Sequence, residues 1–112
     1  MTTDRLNAYR IMWVMVFFDL PVDTPEMRHT YSEFRKRLQK DGFRMFQFSI
    51  YVRHCSSDEN AQVHIERVTR WLPEKGQVGI MKITDKQFGM IKLFQGIKRA
   101  PIPKKGDQLM LF

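Results

Sequence analysis

The sequence is poor in the features that mark specialised classes of protein. It has one cysteine, Cys55, so no internal disulfide can form, and this fits a reducing cytoplasm. Its longest apolar run, residues 11–18, has eight members. That is too short to cross a bilayer, so no membrane is expected as a partner. No small-residue cleavage site follows the run, and a signal peptide is not expected. Internal repeats, low-complexity tracts and the glycine pattern of a P-loop are all missing. The three histidines, His29, His54 and His64, stand in different predicted elements without zinc-site spacing, so each is expected at a surface or boundary. Cys55 has His54 beside it, but neighbours in a strand point to opposite faces, and Cys55 reads as a small strand-end residue rather than a nucleophile. Carboxylates are in deficit, with 12 Asp and Glu against 19 Lys and Arg, for a net charge of +7. An acidic polymer, nucleic acid above all, is the first partner to consider.

What is present is one domain's worth of chain: 112 residues, 43% of them hydrophobic. The apolar run at 11–18 has no clean period and is rich in aromatic and β-branched residues, which predicts a central strand covered on both faces and ended by Pro21. Residues 1–8 read as a loose arm. A helix start follows, with Thr24 as N-cap before Pro25, or Asp23 as N-cap with Glu26. Met27, Tyr31, Phe34 and Leu38 form its buried stripe, and Gly42 stops it. Residues 43–53 are a second β region, either one strand or two meeting at a bend. In it Phe46, Phe48, Ile50 and Val52 are expected inward against Gln47, Ser49, Tyr51 and Arg53. Ser56 and Glu59 resemble a capping box for a second helix running to about Leu72, with Ala61, Ile65, Val68 and Leu72 inward. Residues 78–84 read as a third strand, Asp85-Lys86-Gln87 as a turn, and residues 90–94 as a fourth strand stopped by Gly96. Residues 97–106 carry two prolines, one glycine and four basic residues, and read as a linker to the apolar tail Leu109-Met110-Leu111-Phe112. The tail is expected to pair with a sheet edge, its own or a partner's. This order predicts an α+β, ferredoxin-like sandwich, a mainly antiparallel sheet with two helices on one face, over residues 1–96, followed at 97–112 by the linker and the apolar tail.

Asp19 is the one carboxylate in a suggestive place, where a buried strand opens to solvent; the alternative is that it only caps a turn. One carboxylate is too few for a catalytic divalent ion. A two-fold dimer would bring a second Asp19 to the same axis, and the pair with waters and a phosphate oxygen could hold Mg²⁺ or Mn²⁺.

Val16-Phe17-Phe18-Asp19-Leu20-Pro21-Val22, the basic helix from Arg28, Asp41-Gly42-Phe43 and residues 47–53 together resemble CRISPR-associated protein two, the small partner of the CRISPR integrase. Residues 75–78, 84–88 and 107–112 resemble the variety found in type II systems. The resemblance implies a ferredoxin-like homodimer whose C-terminal strand adds to the partner's sheet. It implies capture of double-stranded DNA and its insertion as spacers, with the dimer bridging integrase dimers. It also implies, as the alternative, a metal-dependent endonuclease on RNA or duplex DNA. The family's metal-site aspartate falls on Asp19, its early helix arginine on Arg28, and its Gln-x-Ser element on Gln47 and Ser49. Many relatives carry Tyr before the aspartate, where this chain has Phe18. Sequence-independent phosphate contacts are expected from Arg28, Arg35, Arg37, Lys40 and Arg44.

Overall fold

The structure, a computed structural model, describes residues 11–102. The arm at 1–8 and the tail at 107–112 lie outside the described residues. The apolar run forms β1 (Met12–Asp19), the central strand predicted for it. It pairs antiparallel with β3 (Ile50–Cys55) on one side and β4 (Gln77–Thr84) on the other. β2 (Arg44–Gln47) lies outside β3, giving the sheet order β2-β3-β1-β4. Helices α1 (Pro25–Lys40) and α2 (Asp58–Thr69) both cover one face of this sheet. Strand, helix, two strands, helix, strand in that pairing order is the ferredoxin-like sandwich expected from the sequence.

β1 feeds two cores by alternation. Met12, Val14, Val16 and Phe18 pack with Phe34 and Leu38 of α1 and Ala61 and Val68 of α2. Trp13 belongs to a second cluster, with Phe46, Val52, Phe88, Leu93 and Ala100. This second layer is built by α3 (Asp85–Gly89) and a hairpin of β5 (Leu93–Gln95) and β6 (Lys98–Ala100). Trp13 stacks on Phe88 at 4.0 Å, and its indole Nε1 donates to Asp85 Oδ1 at 2.7 Å.

The start of α1 follows the first of the two capping schemes: Thr24 Oγ1 accepts from the Met27 amide at 3.1 Å, and Pro25 opens the helix. Gly42, at φ +94°, turns the chain out of it. Other expectations need correction. The second β region is a hairpin, and Ser49 at φ +65° makes its turn. Phe48 is 72% exposed there, while Tyr51 is fully buried under the helices, because both faces of β3 are covered and alternation does not separate inside from outside. The cap of α2 is Ser57, whose hydroxyl accepts from the Asn60 amide, one residue after the predicted Ser56. α2 ends at Thr69, which leaves Leu72 46% exposed. Residues 85–89 are a short helix rather than a turn, held by a capping box between Thr84 and Gln87. The last predicted strand shrinks to Leu93–Gln95 and stays outside the main sheet, because its partner is Lys98–Ala100, the first part of the stretch read as a linker.

Candidate nucleic-acid interface and strand-end carboxylate

Asp19 is the last residue of β1, opposite Gln77 of β4, and is exposed. By alternation it shares the second face with Trp13, Met15 and Phe17. The α3–hairpin layer covers that face around Trp13; toward Asp19 the face opens, with Phe17 40% and Met81 45% exposed. Two backbone devices fix this end of the sheet. A Cβ at Gly76, which has φ +91°, would lie 2.6 Å from the Asp19 carbonyl oxygen, so only glycine lets the chain entering β4 approach so closely. On the other side the Phe18 amide donates to the Ser49 carbonyl at 2.9 Å, docking the β2–β3 turn against the end of β1. Ser49 Oγ is 3.5 Å from the Tyr31 hydroxyl. Asp19 and Ser49 therefore stand at the same end of the sheet, with the Ser49 hydroxyl toward Tyr31 and Asp19 on the opposite face, and Gln47 is at the adjoining end of β2.

Phe18 faces the other way. It is buried among Tyr31, Phe34 and Tyr51, with ring centroids 5.2 to 5.9 Å away. A phenol at this position would enter the helix-side core and not the edge that carries Asp19.

The five basic residues separate by what they touch. Arg28 Nη1 donates to the Val22 carbonyl at 3.0 Å and stays exposed. Arg37 and Lys40 are exposed on the last turns of α1, and Arg44 is exposed on the edge strand β2. Arg35 is half-buried: its Nε donates to the Tyr51 hydroxyl at 2.8 Å, and its guanidinium lies 5.8 Å from the centre of the Tyr31 ring. The Tyr51 hydrogen bond favours the charged form and raises the Arg35 pKa above its ordinary value, against the opposing effect of burial.

Sequence reasoning missed a polar cluster around Asp41. Asp41, after α1, accepts from His64 Nδ1 at 2.6 Å and from Arg67 at 2.8 Å, and its carbonyl accepts from Arg53 Nε at 2.7 Å. His64 is 4% exposed and so is a core residue, contrary to its expected boundary position; the carboxylate satisfies its ring nitrogen. The available signal was the spacing of His64 and Arg67, one helical turn apart on α2. Cys55 ends β3, the strand-end position expected for it; it is also buried, and burial pushes its thiol up. Among the described residues no three His, Cys, Asp or Glu side chains gather to hold a metal, and no helix is long and apolar enough to cross a membrane.

Residues 12–91 match the family model described as CRISPR associated protein Cas2. The chain belongs to the Cas2 family. It is 57% identical over 108 residues to the CRISPR-associated endoribonuclease Cas2 of Flavobacterium psychrophilum, covering 96% of this chain and 94% of that protein. The protein of the same name from Parvibaculum lavamentivorans is 52% identical over 101 residues, covering 90% of this chain and all of its own. That from Paracidovorax avenae is 42% identical over 107 residues, 96% of this chain and 99% of its own. The Cas2 match begins at the first residue of β1 and runs through α3, so it includes Asp19, the β2–β3 turn and the whole four-stranded sheet.

Proposed function

We propose that this Cas2-family chain acts in the cytoplasm as a homodimeric adaptor of spacer acquisition, bridging CRISPR integrase dimers and holding double-stranded DNA through phosphate contacts. The observation that carries this reading is the pairing of a strongly cationic surface with an open apolar sheet face. Arg28, Arg37, Lys40 and Arg44 stand exposed on a chain of net charge +7, and such contacts are independent of base sequence. The open half of the second face, with Phe17 and Met81, suits a second copy of the chain, and the apolar tail Leu109-Met110-Leu111-Phe112 would extend that contact as an added strand.

A second reading is favoured by the exposed Asp19 and by the relatives' printed name, endoribonuclease. The Asp19 side chain has no ion pair or hydrogen bond among the described residues, which suits a hard-ion ligand. One carboxylate per chain fits Mg²⁺ or Mn²⁺ only where a second chain supplies another at the dimer axis. An ion held by both Asp19 side chains would polarise a phosphate. The protein's own share is to hold the carboxylate at a fixed strand end, between the close approach of Gly76 and the docked Ser49 turn.

Asp19→Asn separates the two. On the adaptor reading, cells carrying the variant at normal protein level still acquire spacers. On the nuclease reading, Mg²⁺- or Mn²⁺-dependent cleavage is abolished with the fold intact. Loss of acquisition, with normal folding and assembly with the integrase, would overturn the adaptor reading. Removing residues 107–112 tests the dimer: sedimentation of the truncated chain should shift toward monomer or assembly with the integrase should weaken, and an unchanged dimer that assembles normally would refute the role of the tail.

A further inference from the structure

Between α1 and the segment that follows α2 run two cavities, of about 600 and about 340 Å³. Both are lined by Thr30, Leu72 and Pro73, so they join at that waist into one trench. The halves differ in chemistry. The larger is lined by Leu20, Met27, Leu72 and Pro73, with Glu26, Glu74 and Lys75 as its charged residues. The smaller is walled by Phe34 and Trp71 and carries His29, Arg37 and Arg70. Glu33 also lines it and is held 3.9 Å from Lys36. The guanidinium groups of Arg37 and Arg70 make no ion pair or hydrogen bond among the described residues, and both are exposed. Leu72 is there because α2 stops at Thr69 and releases it from the core stripe.

We propose that this trench binds a peptide segment of a partner protein, one with apolar side chains at one end and carboxylates at the other. The apolar half would bury the aliphatic part. Arg70 would take the carboxylates by charge-assisted hydrogen bonds, in the half that Trp71 also lines. The combined volume suits a chain of a few side chains in contact. A nucleic-acid strand fits poorly along the larger half, which is mainly apolar and carries Glu26 and Glu74 against the single cation Lys75.

The test is calorimetric titration of the full-length protein with two synthetic heptapeptides, Leu-Pro-Leu-Ser-Asp-Glu-Glu and the same sequence reversed, since the trench fixes polarity but not chain direction. At least one should bind, and the Trp71 indole N–H should shift in amide correlation spectra. Replacing the three acids by lysine should weaken binding at least tenfold. Arg70→Glu should do the same, and Thr30→Trp, which fills the waist from an exposed helix position, should abolish it. If Arg70→Glu does not fold, Arg70→Gln should still weaken binding at least threefold. Failure of both peptides, equal binding of the lysine version, insensitivity to both substitutions, or displacement by an eight-nucleotide oligothymidine would overturn the proposal. So would binding seen only after removal of residues 107–112, since the occupant would then be this chain's own tail.

Discussion

The ring of Phe17 occupies the space that a side chain on Gly79, its partner across β1 and β4, would need. A Cβ on Gly79 would lie 2.2 Å from Phe17 Cε2 and 2.4 Å from Cζ. The glycine is thus a seat for the ring, on the face that also carries Asp19. Gly79→Ala should force the ring away and destabilise the fold by roughly 1–3 kcal/mol, read from urea denaturation. Phe17→Leu in the same chain should recover part of the loss. Equal stability of Gly79→Ala and the parent would show that the ring moves aside freely.

The Asp41 carboxylate ties the end of α1 to α2 through His64 and Arg67. Its side chain is 8% exposed, and His64 has little water to fall back on. Asp41→Ala should therefore lower stability by about 1–3 kcal/mol, the range for stranding a buried partner. Asp41→Asn keeps an acceptor and should lose less. A neutral effect of Asp41→Ala in thermal and urea melts would mean that water replaces the carboxylate.

Burial raises the Cys55 pKa from the ordinary 9.0. In the folded chain the thiol stays protonated where the unfolded chain has begun to ionise. The unfolded state then binds fewer protons, so Cys55 lowers stability as pH rises through about 9 toward the folded value. Cys55→Ala should flatten that alkaline loss while introducing its own pH-independent cavity cost. Iodoacetamide should label native protein far more slowly than urea-unfolded protein at the same pH; equal rates would contradict the buried thiol.

DNA binding should fall steeply with salt, and the two kinds of arginine on α1 should respond differently. Arg37 is exposed, so Arg37→Ala should reduce the slope of log affinity against log salt by about one. Arg35 is engaged with Tyr51, and Arg35→Ala should show mainly as a lower melting midpoint. Filter binding across a salt series, beside thermal melts, distinguishes them. An unchanged slope for Arg37→Ala would remove that residue from the phosphate contacts.

The main sheet and both long helices were legible because their signals are local: an apolar run closed by Pro21, a capping threonine before Pro25, a stripe through Phe34 and Leu38. What failed to show was what covers the second face. Alternation points Tyr51 and its hydroxyl outward, yet Arg35 reaches that hydroxyl and lets the ring sink under α1. Residues 85–100 are turn-rich and short in period, and they become a layer only because Trp13 and Val52 offer an apolar bed that no pattern within 85–100 reveals. Asp19 could be found as a strand-end carboxylate, whereas Gly76 and Ser49, which hold that end, depend on contacts distant in sequence. The Asp41 cluster joins positions 23 and 26 residues apart, and only the one-turn spacing of His64 and Arg67 within it is local.

The two-sided packing of β1 imposes a parity rule on the chain. Even positions belong to the helices and odd positions to α3, the hairpin and the open face. One inserted residue between Met12 and Asp19 would exchange the two sets beyond it, sending Val16 toward solvent and the carboxylate toward Phe34. Two inserted residues would restore the order at the price of a longer strand. Length variation in this protein should therefore concentrate outside β1, for instance at residues 96–97, the exposed turn between β5 and β6.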